Sequence, residues 1–387
     1  MPVPHNSQRE ESRSPRVLLV FYNSGLSGGP RISRTLAGVF HRRLHVRAIL
    51  PSEGPTTAWL RAAGIEITLL RREPLRATWN PLVHLRYLWK FPGAVAAYRR
   101  AIRRFCPEIV HVDSLLNLPP LVAARLAGVK TLLHLQEVPY GFVRGALASL
   151  AGRLADRVVA VSQAAAAPMR GRVAPKRIAV VYNGTTLPDS VPAYNPNGRV
   201  SFVGRLSEDK DPILFLRAAA RVYAQQPNAQ FMICGLTVPG RERYEARLFR
   251  IPNQSGLPPE NFTLFRDRED VAELLRGAAI LVNCSAVPES FGLAALEAMA
   301  LAIPVIAPRS GAFPEILTER ETGLLYSPGN REELAGCILR LLRDPSLARR
   351  IGLAGRALVQ SRFTAEKMAC AMEEQYQQLL AGQHGSN

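Results

Sequence analysis

From residue 16 the chain alternates short, nearly continuous apolar runs with longer stretches in which apolar residues recur every three or four positions. The first kind suits a strand buried on both faces and the second an amphipathic helix. Residues 16–22 (RVLLVFY), 46–50, 65–70, 107–113, 130–134, 158–162 and 178–182 read as strands. Between them, Ile32, Leu36, Val39 and Phe40 mark one helix face, with Pro30 in its first turn. Further helices are expected through Trp59 and Leu60, over 121–127 with Gly128 as cap, and in the Ala-rich stretch from Gln163. Residues 186–198 (TLPDSVPAYNPNG) lose all apolar periodicity and read as a linker.

A second series follows, with strands over 199–203, 230–235, 261–265, 280–282 and 305–307. Pro212 opens a helix carrying Leu214, Phe215 and Ala218, and residues 271–277 form another. After the break at Pro288-Glu289-Ser290, Leu293, Leu296 and Ala300 take helical spacing, with Ser290 as the expected N-cap. Helices from Arg331 onward end in one over 364–381. This order predicts an α/β protein of two doubly wound, Rossmann-like domains facing a cleft. The expected division is a flexible tail (1–15), a first domain (16–185), the linker (186–198) and a second domain (199–363), with helix 364–381 returning to the first.

Composition narrows the class. With 387 residues, 47% hydrophobic and 21% charged, the chain can fill two sizeable cores. No 18-residue window is apolar throughout and the N-terminus lacks a signal-peptide core, so a cytoplasmic protein is expected. Five scattered cysteines with no CxxC pair suggest reduced thiols. The net charge of +18 is uneven: residues 1–185 hold 27 Lys and Arg against 9 Asp and Glu, which already accounts for +18. A field of that size on one domain favours an anionic partner.

Residues 78–105 (TWNPLVHLRYLWKFPGAVAAYRRAIRRF) mix Trp79, Tyr87, Trp89, Phe91 and Tyr98 with Arg86, Lys90, Arg99, Arg100, Arg103 and Arg104. Pro92 and Gly93 are expected to split the stretch into two helices. It fits an amphipathic segment on the inner face of an anionic membrane, and equally a soluble helix with aromatics inward and arginines outward. Single-stranded nucleic acid also favours aromatics beside arginines, but is not the partner expected.

Several loops carry chemistry. Glu289 and Glu297 frame Phe291-Gly292-Leu293 at a strand-to-helix turn, where free helix amides favour phosphate and paired carboxylates favour the hydroxyls of a polyol. Arg205 and Lys210, five apart in the loop after a strand, could both reach one diphosphate. Residues 23–30 form a Gly-rich strand-to-helix loop whose Gly28 and Gly29 allow close backbone approach. His111, Asp113, His134 and Glu137 fall at strand ends, on the rim where parallel sheets bind ligands. His111 and Asp113 could also form a metal pair, but no third ligand accompanies them.

The stretch PESFGLAALEAMALAIPVIAPRSGAFPEI resembles the donor site of retaining glycosyltransferases of family 4, with two Glu separated by seven residues. Gly204-Arg205-Leu206 followed by Lys210 is similar to the family's diphosphate loop, and PEIVHVDSLLNLPPLVAARLAGVKTLLHLQE to its first domain. The resemblance implies the GT-B arrangement over residues 16 to about 380. It also implies that Glu289 contacts the transferred sugar, Glu297 the ribose, and Arg205 and Lys210 the departing diphosphate, with Gly204, Ser290, Phe291, Gly292 and Leu293 alongside. By the same resemblance His134 lies against the sugar, and Gly28 and Gly29 near the diphosphate and acceptor. Here the loop reads Gly28-Gly29-Pro30-Arg31 where the family usually has Gly-Gly-Ala, so contacts there can differ. Base contacts are expected around residues 266–271, with Glu273 orienting the next turn.

The expected activity is a retaining, metal-independent hexosyl transfer from a UDP-, GDP- or ADP-linked sugar. The expected acceptor is a glycan or lipid-linked one, in cell-surface polysaccharide or glycolipid synthesis. No cofactor beyond the donor is expected. Epimerisation or phosphorolysis on the same fold, and a non-catalytic scaffold binding a membrane or polyanion through the basic first domain, are the competing readings.

Overall fold

The apolar runs of the first half line up as one sheet in the computed structural model, which describes residues 14–25, 28–73, 75, 81–139, 142–238, 240–268 and 271–381. Its strands are β1 (Arg16–Val20), β2 (His45–Leu50), β3 (Glu66–Leu69), β4 (Ile109–Asp113), β5 (Lys130–Leu135), β6 (Arg157–Ala160) and β7 (Ile178–Val180). Helices α1 (Gly28–Phe40), α2 (Pro55–Ala62), α3 (Pro81–Phe105), α4 (Leu118–Leu126), α5 (Phe142–Leu154) and α6 (Gln163–Ala166) connect them. The strand order is β3-β2-β1-β4-β5-β6-β7. Central β4 is buried along its whole length, whereas edge strand β3 is not, as expected of a sheet covered by helices on both faces.

The second half repeats the design. Strands β8 (Arg199–Arg205), β9 (Phe231–Leu236), β10 (Phe262–Arg266), β11 (Ala278–Val282), β12 (Val305–Pro308) and β13 (Leu324–Tyr326) lie in the order β10-β9-β8-β11-β12-β13, and the pairs are parallel. The helices are α7 (Pro212–Tyr223), α8 (Glu242–Leu248), α9 (Ile251–Ser255), α10 (Val271–Arg276), α11 (Leu293–Ala300), α12 (Phe313–Ile316), α13 (Arg331–Arg343), α14 (Pro345–Arg362) and α15 (Ala365–Ala381). Phe202, Phe215 and Phe231 interlock at ring separations of 5.9 and 6.3 Å in a core shared by β8, α7 and β9. Asp211 caps α7 by accepting from the Leu214 amide, one residue before Pro212.

The chain packs as two compact units, one of residues 1–133, 154–157 and 376–387, the other of residues 134–153 and 158–375. In the first unit Tyr376 of α15 rests against Phe40 and shares a 2.5 Å hydrogen bond with His111 Nδ1.

Four local expectations are corrected. α3 runs unbroken through Pro92 and Gly93. Proline removes one helical hydrogen bond, but both residues face solvent, where water can satisfy the freed carbonyl, and the stripe Tyr87, Val95, Tyr98, Ile102 and Phe105 buries the helix on either side of the proline. α1 starts at Gly28, so Gly28 and Gly29 belong to its first turn rather than to a free loop. The Ala-rich helix from Gln163 lasts four residues before a 3₁₀ turn over Ala167–Met169, where Pro168 cannot extend it. α11 begins at Leu293 behind Gly292 in the left-handed region (φ +90°), so Gly292 and not Ser290 is its N-cap. Residues 1–13 of the expected tail, and 78–80 of the aromatic-basic stretch, lie outside the described residues.

Candidate active site

The order of the second sheet reverses between β8 and β11, and their parallel pairing brings both carboxyl ends to the same edge. Such a reversal opens a crevice beside the strand ends. The segments leaving β8 and β11 meet there: the Ala286 amide donates to Asp209 O at 3.0 Å. Arg205 is the last residue of β8, with Gly204 before it. The Lys210 and Asp211 amides both fold back on Ser207 O at 3.1 Å, which makes the turn compact. Beyond β11, the Asn283 side chain accepts from the Ser285 amide at 3.0 Å, an Asx turn, and its carbonyl takes Tyr326 Oη at 3.1 Å.

These turns deliver Glu289 to Lys210. The Lys210 ammonium is ion-paired with Glu289 Oε1, and the same oxygen takes Ser285 Oγ at 2.6 Å and Asn283 Nδ2 at 3.5 Å. The Glu289 side chain is only 10% exposed. Burial works against its charge, but Lys210 and the hydrogen bonds from Lys210, Ser285 and Asn283 outweigh it and hold the carboxyl below its ordinary value. All three contacts fall on one oxygen, leaving Oε2 to meet another donor. Lys210 likewise has N–H donors to spare.

Arg205 pairs with Asp209 at 2.6 Å. Burial pushes the Asp209 carboxyl up, but the Ser207 hydroxyl and the charges of Arg205 and Lys210 prevail and lower it. The crevice therefore holds two cations, each matched to an acid. Asp209, Asn283 and Ser285 have no place in the sequence reading, because a short polar loop after a strand looks alike whether or not its side chains converge.

The first turn of α11 leaves its initial amides without intrahelical acceptors, following Ser290, Phe291, Gly292 and Leu293. The Phe291 ring is buried against Tyr182 and Phe363, so only its backbone can face a ligand. Glu297 is half-buried in the second turn of α11. Gly311, at φ +59°, passes so near Glu289 that a Cβ there would lie 2.4 Å from its amide nitrogen and from its carbonyl oxygen.

His134 is wholly buried at the end of β5, with Gln136 Nε2 3.4 Å from Nδ1. Burial lowers its pKa to about 3, so the imidazole is neutral at physiological pH and serves as a hydrogen-bonding group, not a cation. Below about pH 6.5 the unfolded chain takes up a proton that folded His134 refuses, so its contribution to stability is full above that value and is lost as pH falls toward 3. Denaturant titrations of wild type between pH 7 and 4.5 are expected to show this loss, approaching about 1.4 kcal/mol per pH unit. His134→Gln is expected to flatten the dependence, and an unchanged slope would assign the loss elsewhere.

Gly29 is half-buried and Gly28 exposed at the start of α1, in the first unit. His111 and Asp113 are buried in β4. Among the described residues no group of three or more His, Cys, Asp or Glu is placed to hold a metal ion. Arg266 stacks on Phe249 at 4.4 Å, Asp267 binds the Thr237 amide and hydroxyl, and Glu273 pairs with Arg276 at 3.3 Å, while residues 269–270 lie outside the described set.

Comparison with known proteins identifies the family and the fold. Residues 186–358 match the family pattern "Glycosyl transferases group 1", and residues 27–184 match "Glycosyl transferase 4-like domain". A GDP-mannose-dependent alpha-mannosyltransferase of Mycobacterium tuberculosis is 31% identical over 300 residues, 70% of this chain and 74% of the relative. An N-acetyl-alpha-D-glucosaminyl L-malate synthase of Bacillus anthracis is 37% identical over 122 residues, 31% of this chain and only 32% of that relative's length. The crystal structure of Anabaena Alr3699/HepE in complex with UDP and glucose superposes with a TM-score of 0.80 at 19% identity, covering 94% of this chain and 99% of that one. The fold is GT-B, two Rossmann-like domains each built on a parallel sheet, and the chain belongs to glycosyltransferase family 4.

Proposed function

We propose that this glycosyltransferase moves a hexosyl group from a nucleotide-diphosphate sugar to a glycan or lipid-linked acceptor, with retention at the anomeric carbon and without a metal ion. In this reading residues 199–363 hold the donor and residues 16–185 receive the acceptor, on the cytoplasmic side of the membrane, in cell-surface polysaccharide or glycolipid synthesis. The observation that carries it is the pairing of Lys210 with Glu289 at the reversal of the second sheet, where the Arg205–Asp209 pair belongs to the same turn as Lys210. The nucleotide dependence of the mannosyltransferase relative and the UDP in the Anabaena complex support a nucleotide-linked donor.

The chemistry follows from the pairing. The spare N–H groups of Lys210, the Arg205 guanidinium and the first amides of α11 offset charge that builds on the diphosphate as the sugar–oxygen bond breaks. Glu289 Oε2 accepts a sugar hydroxyl, Glu297 takes the ribose, and neutral His134 supplies a hydrogen bond on the sugar side. The acceptor hydroxyl attacks from the face the diphosphate leaves and gives its proton to the departing phosphate oxygen. One bond to the anomeric carbon is thereby exchanged for another on the same face.

A thermal-shift panel of UDP-, GDP- and ADP-sugars without added metal tests the donor. A ligand that binds only the folded state raises the melting temperature, by an amount set by its concentration relative to Kd. One base is expected to give a shift, absent in Glu297→Ala. No shift with any of the three, together with full biological function in Glu289→Ala, would favour the scaffold.

A further inference from the structure

The outward face of α3, in the first unit, has an unusual make-up. Of the aromatics in this stretch, Tyr87 and Tyr98 point into the core, but Trp89 is 80% exposed, and Leu82, Leu85 and Leu88 are 71%, 65% and 64% exposed. At helical spacing these four share one side, two turns long, toward the amino end of a helix about 37 Å in length. A soluble protein gains nothing by holding a Trp and three Leu together in water.

The carboxyl half of the same helix carries Arg99, Arg100, Arg103 and Arg104, and α3 contains no acidic residue. Arg86 and Lys90 are matched by Glu73, at 2.9 and 3.2 Å. Among the described residues, none of the four arginines near the carboxyl end has an ion-pair partner. Arg100 and Arg104 also edge a groove of about 510 Å³ between α3 and strands β1 to β3, where the acid present, Glu66, is already bound to Arg47.

We propose that this face of α3 docks on an anionic lipid bilayer, with Leu82, Leu85, Leu88 and Trp89 entering the acyl boundary and Arg100, Arg103 and Arg104 meeting lipid phosphates. Charge decides the occupant. A second copy would add the same cations and no acid to this face, so it would neutralise none of these arginines, whereas an anionic leaflet neutralises them. An apolar half beside a cationic half is what an in-plane interfacial helix requires. The surface specifies the membrane partner of the proposed transferase but rests on its own observations.

Co-sedimentation of the full chain with vesicles of phosphatidylcholine alone, and of phosphatidylcholine with phosphatidylglycerol in equal parts, tests it. Binding is expected only to the mixed vesicles and is expected to weaken with salt. Each basic residue near an anionic leaflet is worth about fivefold in partitioning, so Arg100→Glu/Arg103→Glu/Arg104→Glu should lower it at least a hundredfold. Leu85→Ser/Leu88→Ser/Trp89→Ser, which keeps every charge, should also abolish binding. All variants are checked for a wild-type melting curve, and a blue shift of Trp emission on mixed vesicles should disappear in Trp89→Phe. Glu289→Ala should bind vesicles normally, which separates this surface from the donor site. Equal binding to both vesicle types, retention in either triple variant, or self-association abolished by the Leu/Trp variant without any vesicle binding would overturn the proposal.

Discussion

Replacing Lys210 with methionine is expected to slow sugar transfer by on the order of a thousandfold and to cost about 3 kcal/mol of stability. The rate loss comes from the spare N–H groups proposed to face the diphosphate, and the stability cost from the pair with Glu289. Lys210 is the cation nearest a carboxylate that is 10% exposed, and methionine fills similar space without the charge. Glu289 is then left buried with only Ser285 and Asn283 as donors. The pH dependence gives a second readout. In wild type the carboxyl is held low, so its contribution to stability is present above its ordinary range and is lost as pH falls through the lowered value. In Lys210→Met burial is opposed only by the Ser285 and Asn283 hydrogen bonds, so the carboxyl rises, acidification relieves the variant and its deficit against wild type narrows. Turnover by nucleotide release and denaturant melts at neutral and mildly acid pH measure both, and undiminished turnover would remove Lys210 from the chemistry.

Gly311→Ala should be nearly as harmful to activity although residue 311 carries no functional group. Its φ of +59° is costly for alanine, and the added methyl would lie 2.4 Å from the backbone nitrogen and oxygen of Glu289. The neighbouring Ala312 amide fixes the same residue through Glu289 O at 3.0 Å. Relief requires the Glu289 segment to move by several tenths of an ångström or more. A displacement on the ångström scale costs about a hundredfold in rate, so kcat should fall by that order while the core of the sheet persists. Kinetics with circular dichroism distinguish this from unfolding. A variant with wild-type kcat would show that the segment has room to adjust.

The sequence makes the frame legible because parallel strands buried on both faces must be almost purely apolar. The Val-Ile-Leu runs of β1, β4, β11 and β12 announce themselves for that reason. Lys210 and Glu289 are each legible in their own loops, but only the resemblance places them in one site, since 79 residues separate them and nothing local says that they touch. Asn283 and Ser285 could have been found as the polar exit of a buried strand, but the choice of Glu289 as their acceptor depends on how the loop folds. Pro92 misleads because its helix-breaking tendency is local, whereas the buried stripe from Tyr87 to Phe105 acts along the whole of α3. Ser290 misleads in the opposite sense. It has the chemistry of a cap, but Gly292 reaches the left-handed conformation at less cost and ends the turn two residues later.

The hydrogen bond between Tyr376 and His111 bears on the order in which the protein can be made. The first unit is not contiguous: residues 154–157 and everything from 376 onward belong to it. A ribosome that has already produced β1 to β4 has not yet supplied the phenol that closes over Phe40 and His111. Domains usually consolidate from the amino end during synthesis. Here the amino-terminal unit waits for the last helix, so a chain stopped before residue 376 leaves its earliest-made part unfinished.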